Sequence, residues 1–267
     1  MQIGTAAPTP EELAAAKHHF IHHKSIKDNY SVGTFEKDAL QCLEILFKTK
    51  DIIIMVGGSG LYVDAVTKGL DYFPKIDSNI RETLNKQLEI NGLASLQEQL
   101  KKLDSISYNT IAIDNPHRII RALEICIGTK KPYSSFLNKE KEKRYFKIIT
   151  IGLKAERELI YERINQRVNI MIQTGLLDEV KHLLDYKDFN ALNTVGYKEL
   201  FNYFDKTWDL DFAISEIKKN TRRFAKRQLT WFKKKEDTIW FNYNARLEHI
   251  VNQIEKEKSI VLKNITE

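Results

Sequence analysis

The stretch that most constrains this chain is Asp51–Tyr62, DIIIMVGGSGLY. Ile52, Ile53, Ile54, Met55 and Val56 form an unbroken apolar run that is too short to span a membrane and is bounded by glycines. Such a run suits a strand buried on both faces of a parallel sheet. Gly57 and Gly58 end it, Ser59 and Gly60 follow, and Leu61, Tyr62, Ala65 and Val66 have the spacing of a helix. The reading is strand, glycine turn, helix. Ligands of open α/β sheets gather at the carboxyl ends of their strands, where small residues admit close backbone approach and helix N-termini offer free N–H groups to anions. Gly57 and Gly58 are therefore candidate ligand-binding glycines, and Ser59 would stand there with a free hydroxyl. An ordinary strand-to-helix turn accounts for the same residues, so this stretch alone does not decide between the two.

The 267 residues can bury a sizeable core, as one large domain or two modest ones. The net charge of +6 and a pI near 9.0 lean toward a polyanionic partner, with nucleic acid the first candidate. Cys42 and Cys126 give neither a disulfide framework nor zinc spacing. The start, MQIGTAAPTPEEL, lacks the basic and apolar regions of a signal peptide, and no apolar run approaches membrane-spanning length. A cytoplasmic protein with no membrane partner is expected.

Thr9 is a candidate N-cap with Pro10 at the first helical position. In HHFIHH, His18, His19, His22 and His23 lack an acidic or cysteine partner at ligand spacing, so structural or surface roles are expected and no metal site is assigned. A helix over about Thr34–Lys48 carries Phe35, Ala39, Leu43 and Leu46 toward the sheet. From Asp77 the character changes. One amphipathic helix (Ile80, Leu84, Leu88), a second (Leu96, Leu100, Leu103) and a third from Pro116 (Ile119, Ile120, Leu123, Ile127 inward) follow without a strand. Residues 77–143 thus read as an all-helical insertion in an α/β core made of 1–76 and 144–267. Phe146–Leu153 and Thr238–Tyr243 are further strand candidates. Between them a long helix from Glu156 with a cap at Gly175, a loop Asn193–Lys198, and a helix from Asp211 to about Lys235 are expected.

That last helix is the most basic element. Lys218, Lys219, Arg222, Arg223, Lys226, Arg227, Lys233, Lys234 and Lys235 surround an apolar stripe, and no acidic residue lies between Lys218 and Lys235. A solvated face usually interleaves both signs, so this pattern points to phosphate binding. The parts describe a phosphate-handling α/β enzyme acting on a large anionic substrate. The chain nevertheless has no GxxxxGK[ST], and no acid stands out as a general base.

IGTAAPTPEEL, VGGSGLY, NPHRIIRALE, RINQRVNIMIQTGLLDEV, TVGYKEL and TRRFAKRQLTWF occur in this order. In sequence and spacing they resemble the tRNA dimethylallyltransferases, or tRNA isopentenyltransferases, from Ile3 to about Trp240. The resemblance implies an α/β fold whose parallel sheet is similar to that of P-loop kinases, with an all-helical insertion gripping the tRNA anticodon stem-loop. It also implies a monomer that transfers a dimethylallyl group from dimethylallyl diphosphate to N6 of adenine 37, with Mg²⁺ bound together with the diphosphate. By resemblance Ser59, at the family's usual threonine position, sits beside the reacting adenine, and Arg167 binds the diphosphate. Arg81, the run His117, Arg118, Ile119, Ile120 and Arg121, and the loop Thr194, Val195, Gly196, Tyr197 and Lys198 match tRNA-contacting segments. Arg222, Arg223, Lys226 and Arg227 belong to the helix near the anticodon arm.

Each position also has a plainer role available. Arg163 and Arg167 would fit surface pairs with Glu162 or Asp178, Tyr197 would fit core packing, and Arg118 and Arg121 would fit solvated helix charges. There are departures from the family too. Its lysine in the first motif is Ala7 here, and the aspartate often seen after RV is Asn169. The family's first strand, P-loop and catalytic aspartate precede the first motif. All three are expected to be missing from a sequence that starts at Met1, leaving the isolated chain weak or inactive. The other readings are a paralogue that binds RNA without modifying it, and transfer to free AMP. The insertion and the basic helix weigh against AMP, because a mononucleotide needs no long anionic footprint.

Overall fold

The computed structural model describes residues 1–266, with side chains described through residue 259. Its helices are α1 (Pro10–Ala15), α2 (Val32–Leu46), α3 (Gly60–Lys68), α4 (Ser78–Leu103), α5 (Ser105–Thr110) and α6 (Pro116–Thr129), then α7 (Arg157–Gln173), α8 (Leu176–Lys181), α9 (Tyr197–Phe204), α10 (Leu210–Phe232) and α11 (Leu247–Thr266). The strands are β1 (Thr150–Lys154) and β2 (Thr238–Asn242). They pair in parallel, Thr150 opposite Thr238 and Lys154 opposite Asn242. The fold is α/β, rich in helix, with this small parallel sheet. No helix among the described residues is long and apolar enough to cross a membrane.

The central strand expected at Ile52–Val56 does not form. These residues join no ladder, and Ile54 and Val56 are 82% and 90% exposed. A strand is defined by its hydrogen-bonded ladder with a neighbour, whereas an exposed extended segment can pair its backbone with water instead. Among the described residues the sheet consists of β1 and β2, and neither pairs with this run. The helix after the glycine turn does form, as α3, which starts one residue earlier than expected.

The chain divides into two compact units, residues 1–63 with the chain from 145 onward, and residues 64–144. In the first, Val168, Leu176, Val180, Leu192, Tyr197, Leu200, Phe201, Ala213 and Ile217 form the core, drawn from α7 to α10. Gly175 separates α7 from α8 in the left-handed region (φ 101°), where an L side chain would be strained. Local capping rules hold at the start of α1. Glu12 N–H donates to Thr9 Oγ1 at 3.2 Å, and Thr9 N–H donates to the Glu12 carboxylate at 2.9 Å. Phe35 of α2 sits between Phe20 and Tyr62, with ring centroids 5.4 and 5.0 Å away.

In the second unit, Leu84, Leu96 and Leu100 of α4 pack on Ile119, Ile120, Ala122 and Leu123 of α6. The first two amphipathic helices expected here are one element bent at Gly92, whose φ of 73° breaks the helical run. The buried face of α6 continues to Ile125 and Cys126, whereas Ile127, expected inward, is 37% exposed. Asp104 closes α4 and caps α5. Its carboxylate accepts from Ser107 N–H (3.0 Å) and Oγ (2.6 Å), and from Ser134 N–H (2.7 Å) and Oγ (2.9 Å). One carboxylate thereby joins the α4–α5 corner to the 3₁₀ turn Tyr133–Phe136. The charged loop after it folds back on residues 65–71: Arg144 donates to the Ala65 carbonyl (2.7 Å), and Lys141 pairs with Asp71 (3.5 Å).

Candidate active site and nucleic-acid interface

Helix α10 is where the motifs of the first unit meet. Asp209 starts it, accepting from Phe212 N–H at 2.7 Å. Ala213 and Ile217 hold its first half in the core. Beyond them, three motifs attach in succession. Asn220 donates to the Glu199 carboxylate at 2.8 Å, and the other Glu199 oxygen accepts Gly196 N–H at 2.8 Å. Glu199 is buried, so the pair fixes the Thr194–Lys198 loop on α10. Arg222 donates to Asn165 Oδ1 at 2.7 Å and lies 5.9 Å from the Tyr161 ring, which ties α10 to α7 two residues before Arg167.

The glycine turn reaches the same helix further along. A Cβ at Gly58 would run into the Gln228 side chain, and one at Gly60 into the Trp231 indole. The turn thus lies close against α10, and a side chain at either position would have to displace its neighbour on that helix. Ser59 between them is exposed, and its carbonyl accepts Val63 N–H at 3.0 Å in the first turn of α3.

The first motif is held by Glu179 of α8. Its carboxylate accepts the N–H groups of Gln2 (2.8 Å), Ile3 (2.9 Å) and Gly4 (3.1 Å), and the Tyr197 hydroxyl donates to it at 2.5 Å. Burial acts to raise the Glu179 carboxyl, but the Tyr197 hydroxyl and these N–H groups outweigh it and hold the group below the usual carboxylate range. Burial and the neighbouring carboxylate push the Tyr197 phenol well above its ordinary value. Tyr197 is fully buried and packs in the core of the first unit.

The cations divide by what already holds them. Arg163 stacks over Tyr243 at 4.6 Å and takes neither carboxylate partner expected of it. The Arg167 guanidinium is exposed and has no hydrogen-bond or ion-pair partner among the described residues. On α10, Lys219 does have a counter-charge, Glu216 at 2.7 Å, just before the acid-free interval. Arg223 leans on Asn220 at 3.4 Å, and Arg227 lies 5.6 Å from the Phe224 ring. Arg223, Lys226 and Arg227 are exposed, whereas Arg222 is half-buried. Lys198 and Thr194 are exposed, Val195 packs against the core, and Gly196 is buried.

The second unit carries its own basic group. Glu124 of α6, almost fully buried, accepts Arg81 at 2.6 Å and Arg121 at 3.0 Å. Burial raises its carboxyl, and the two guanidinium groups more than reverse this, leaving it below the usual range. Arg121 also lies 5.0 Å from the Phe73 ring, which stacks on Tyr133. These contacts fix both arginines while their side chains stay 50% and 39% exposed. His117 and Arg118 face solvent beside them. Ile119 and Ile120 are core residues whose side chains hold α6 in place.

No group of three or more His, Cys, Asp or Glu side chains fit to hold a metal ion occurs among the described residues. The histidines of HHFIHH bond locally: His18 to the Ala16 carbonyl (2.7 Å), His22 to that of Met1 (3.0 Å) and His23 to that of Phe20 (3.1 Å).

Residues 1–235 match the family model described as IPP transferase. The chain belongs to the IPP transferase family. Among its relatives, the tRNA dimethylallyltransferase of Christiangramia forsetii is 58% identical over 257 residues, covering 96% of this chain and 85% of that protein. The enzyme of the same name from Flavobacterium johnsoniae is 56% identical, covering 95% and 84%. A crystal structure of full-length tRNA isopentenylpyrophosphate transferase from Bacillus halodurans shares 34% identity and a TM-score of 0.67, covering 98% of this chain and 84% of that one. A eukaryotic dimethylallyltransferase acting on tRNA shares the fold, with a TM-score of 0.71 at 23% identity, over 90% of this chain and 63% of that one.

For an IPP transferase, sequence reasoning named the motif residues and missed the ones that join them. Glu179, Glu199, Asn220, Asn165, Gln228 and Trp231 connect the motifs of the first unit, and Glu124 and Asp104 organise the second. Asp104 had a local signal, an acid three residues before Ser107 where a cap belongs. Glu179 had none, because its partners lie near the chain start.

Proposed function

We infer that this chain transfers a dimethylallyl group from dimethylallyl diphosphate to N6 of adenine 37 in tRNAs that read codons starting with U. The observation that carries the reading is the convergence of the glycine turn, the Arg167 helix and the Thr194–Lys198 loop on one basic helix, α10. Relatives above 50% identity bear the name of this enzyme, which weighs against a binding-only protein and against free AMP as acceptor.

Adenine 37 stacks in the anticodon loop, so it is drawn out of the stack before its amino nitrogen can attack. The N6–C1 bond forms, the C1–O bond to the diphosphate breaks, pyrophosphate leaves with the electron pair, and N6 gives up a proton to solvent water. Ser59 stands beside the adenine with its hydroxyl. Arg167 presents the planar fork that suits the departing diphosphate, and Gly57 and Gly58 let the backbone come close to the substrate. The RNA lies along Arg222, Arg223, Lys226 and Arg227, the loop Thr194–Lys198, and the Arg81, His117, Arg118 and Arg121 group of the helical unit. Mg²⁺ bound with the diphosphate would neutralise part of the charge that departs with it. The protein works as a monomer in the cytoplasm.

The deciding experiment is transfer of labelled dimethylallyl diphosphate, with Mg²⁺, to tRNA bearing adenine at positions 36 and 37, with guanine-37 tRNA as the control. Labelling of the first, weak in keeping with the absent GxxxxGK[ST], and none of the second is expected, and equal labelling, or none in either, rejects the reading. A separate measurement tests the RNA face. Lys226→Ala and Arg223→Ala should each flatten the salt dependence of tRNA binding by about one unit of log–log slope. An unchanged slope removes that residue from the interface.

A further inference from the structure

Gln228 and Trp231 lie on the turn-facing side of α10, outside every role given above. Their side chains occupy the space a Cβ would need at Gly58 and at Gly60, the two neighbours of Ser59. Contact on both sides of a single exposed residue fixes the height and tilt of its backbone. The same helix turns bear Lys226 and Arg227, exposed to solvent. We propose that Gln228 and Trp231 are positioning residues for the transfer reaction, setting the Gly58–Ser59–Gly60 turn so that the Ser59 hydroxyl has a fixed place relative to RNA held on α10. The proposal rests on the reading of function above.

The physical argument is one of tolerance. A reacting group displaced by about 1 Å loses on the order of 10²-fold in rate, even when the substrate still binds. A loop tethered only through its own backbone wanders by such amounts. A loop seated on the flat indole of Trp231 and the amide of Gln228 does not. Because the seat belongs to the helix that carries the cations, the distance between bound RNA and the turn is set inside one rigid element.

The test is a size-exchange cycle on the full chain, read as kcat and KM for tRNA in the labelled transfer assay, with thermal midpoints alongside. Gly58→Ala places a methyl against Gln228 and is expected to lower kcat by about 10- to 100-fold with KM changed less than about 3-fold. Gln228→Ala alone should lower kcat about 10-fold by unseating the turn. In the double variant, Gly58→Ala with Gln228→Ala, the methyl fills the space vacated, and kcat should recover above that of Gly58→Ala, a non-additivity expected of residues in contact. Trp231→Phe, which keeps a flat ring, should retain more kcat than Trp231→Ala at similar thermal midpoints.

Additive losses in the cycle overturn the proposal. So do losses confined to KM, or losses that track the thermal midpoint. If the unsubstituted protein transfers label and all variants match it, this inference falls and the function stands. If the unsubstituted protein transfers none, the reading of function falls and takes the inference with it.

Discussion

Arg167→Ala is expected to reduce kcat/KM for dimethylallyl transfer by about 10²- to 10³-fold, the usual consequence of removing a donor aimed at charge that develops in the transition state. Stability should hardly respond. The guanidinium is exposed and makes no hydrogen bond or ion pair among the described residues, and surface changes of this kind stay within about 0.5 kcal/mol. Arg167→Lys separates charge from shape. It keeps the positive charge but loses the fork that bonds two phosphate oxygens at once, so a partial recovery is expected. Single-turnover rates and thermal midpoints of the three proteins check this. A fall in activity that parallels a fall in midpoint would make Arg167 a structural residue.

The largest effect on stability is expected at Glu179. Glu179→Ala leaves the N–H groups of Gln2, Ile3 and Gly4, together with the buried Tyr197 hydroxyl, without their acceptor, at a cost of about 3 kcal/mol. The same carboxylate contributes to pH dependence. Its folded pKa lies below the ordinary value of about 4.3, so its contribution is fully present above that pH and is lost as pH falls through the depressed folded value. Asp104 and Glu124 are depressed in the same direction, Asp104 by the serine hydroxyl and N–H donors that outweigh its burial. Unfolding by denaturant should therefore show stability declining below about pH 4. Glu179→Gln should be less stable than the parent at pH 7, with the gap narrowing toward pH 3. A gap of constant size would mean the charge on Glu179 contributes nothing.

What the sequence disclosed, and what it withheld, follows from how local each signal was. Thr9 was readable as a cap, and helix starts near Asp77 and Pro116 were readable too, because a cap and its N–H partner are two or three residues apart. The acid-free interval after Lys218 marked α10 as the cationic element without reference to any other part of the chain. The apolar run Ile52–Val56 misled because a strand is a property of a pair, and an apolar composition says nothing about whether a partner lies alongside. Arg121 illustrates the middle case. Its place in the run that resembles a tRNA-contacting segment was legible, but the buried Glu124 that it shares with Arg81 was not, since Arg81 lies 43 residues from that carboxylate in sequence. The family resemblance named Ser59 and Arg167. The supports beneath them, Gln228, Trp231 and Asn165, emerge only once helices distant in sequence are packed together.

The Glu179 contacts also set an order of events during synthesis. Gly4 N–H and its acceptor are separated by 175 residues, so the first motif leaves the ribosome long before α8 exists to hold it. At ordinary elongation rates of about 5–20 residues per second, that wait is roughly 10–35 s. The helical unit, residues 64–144, is contiguous and complete well before then, and Asp104 and Glu124 find all their partners inside it. The nascent chain thus carries a finished helical unit and an unanchored first motif at the same time. The closing of the Glu179 carboxylate over Gln2–Gly4 consequently waits until α8 has been made, after the helical unit is complete.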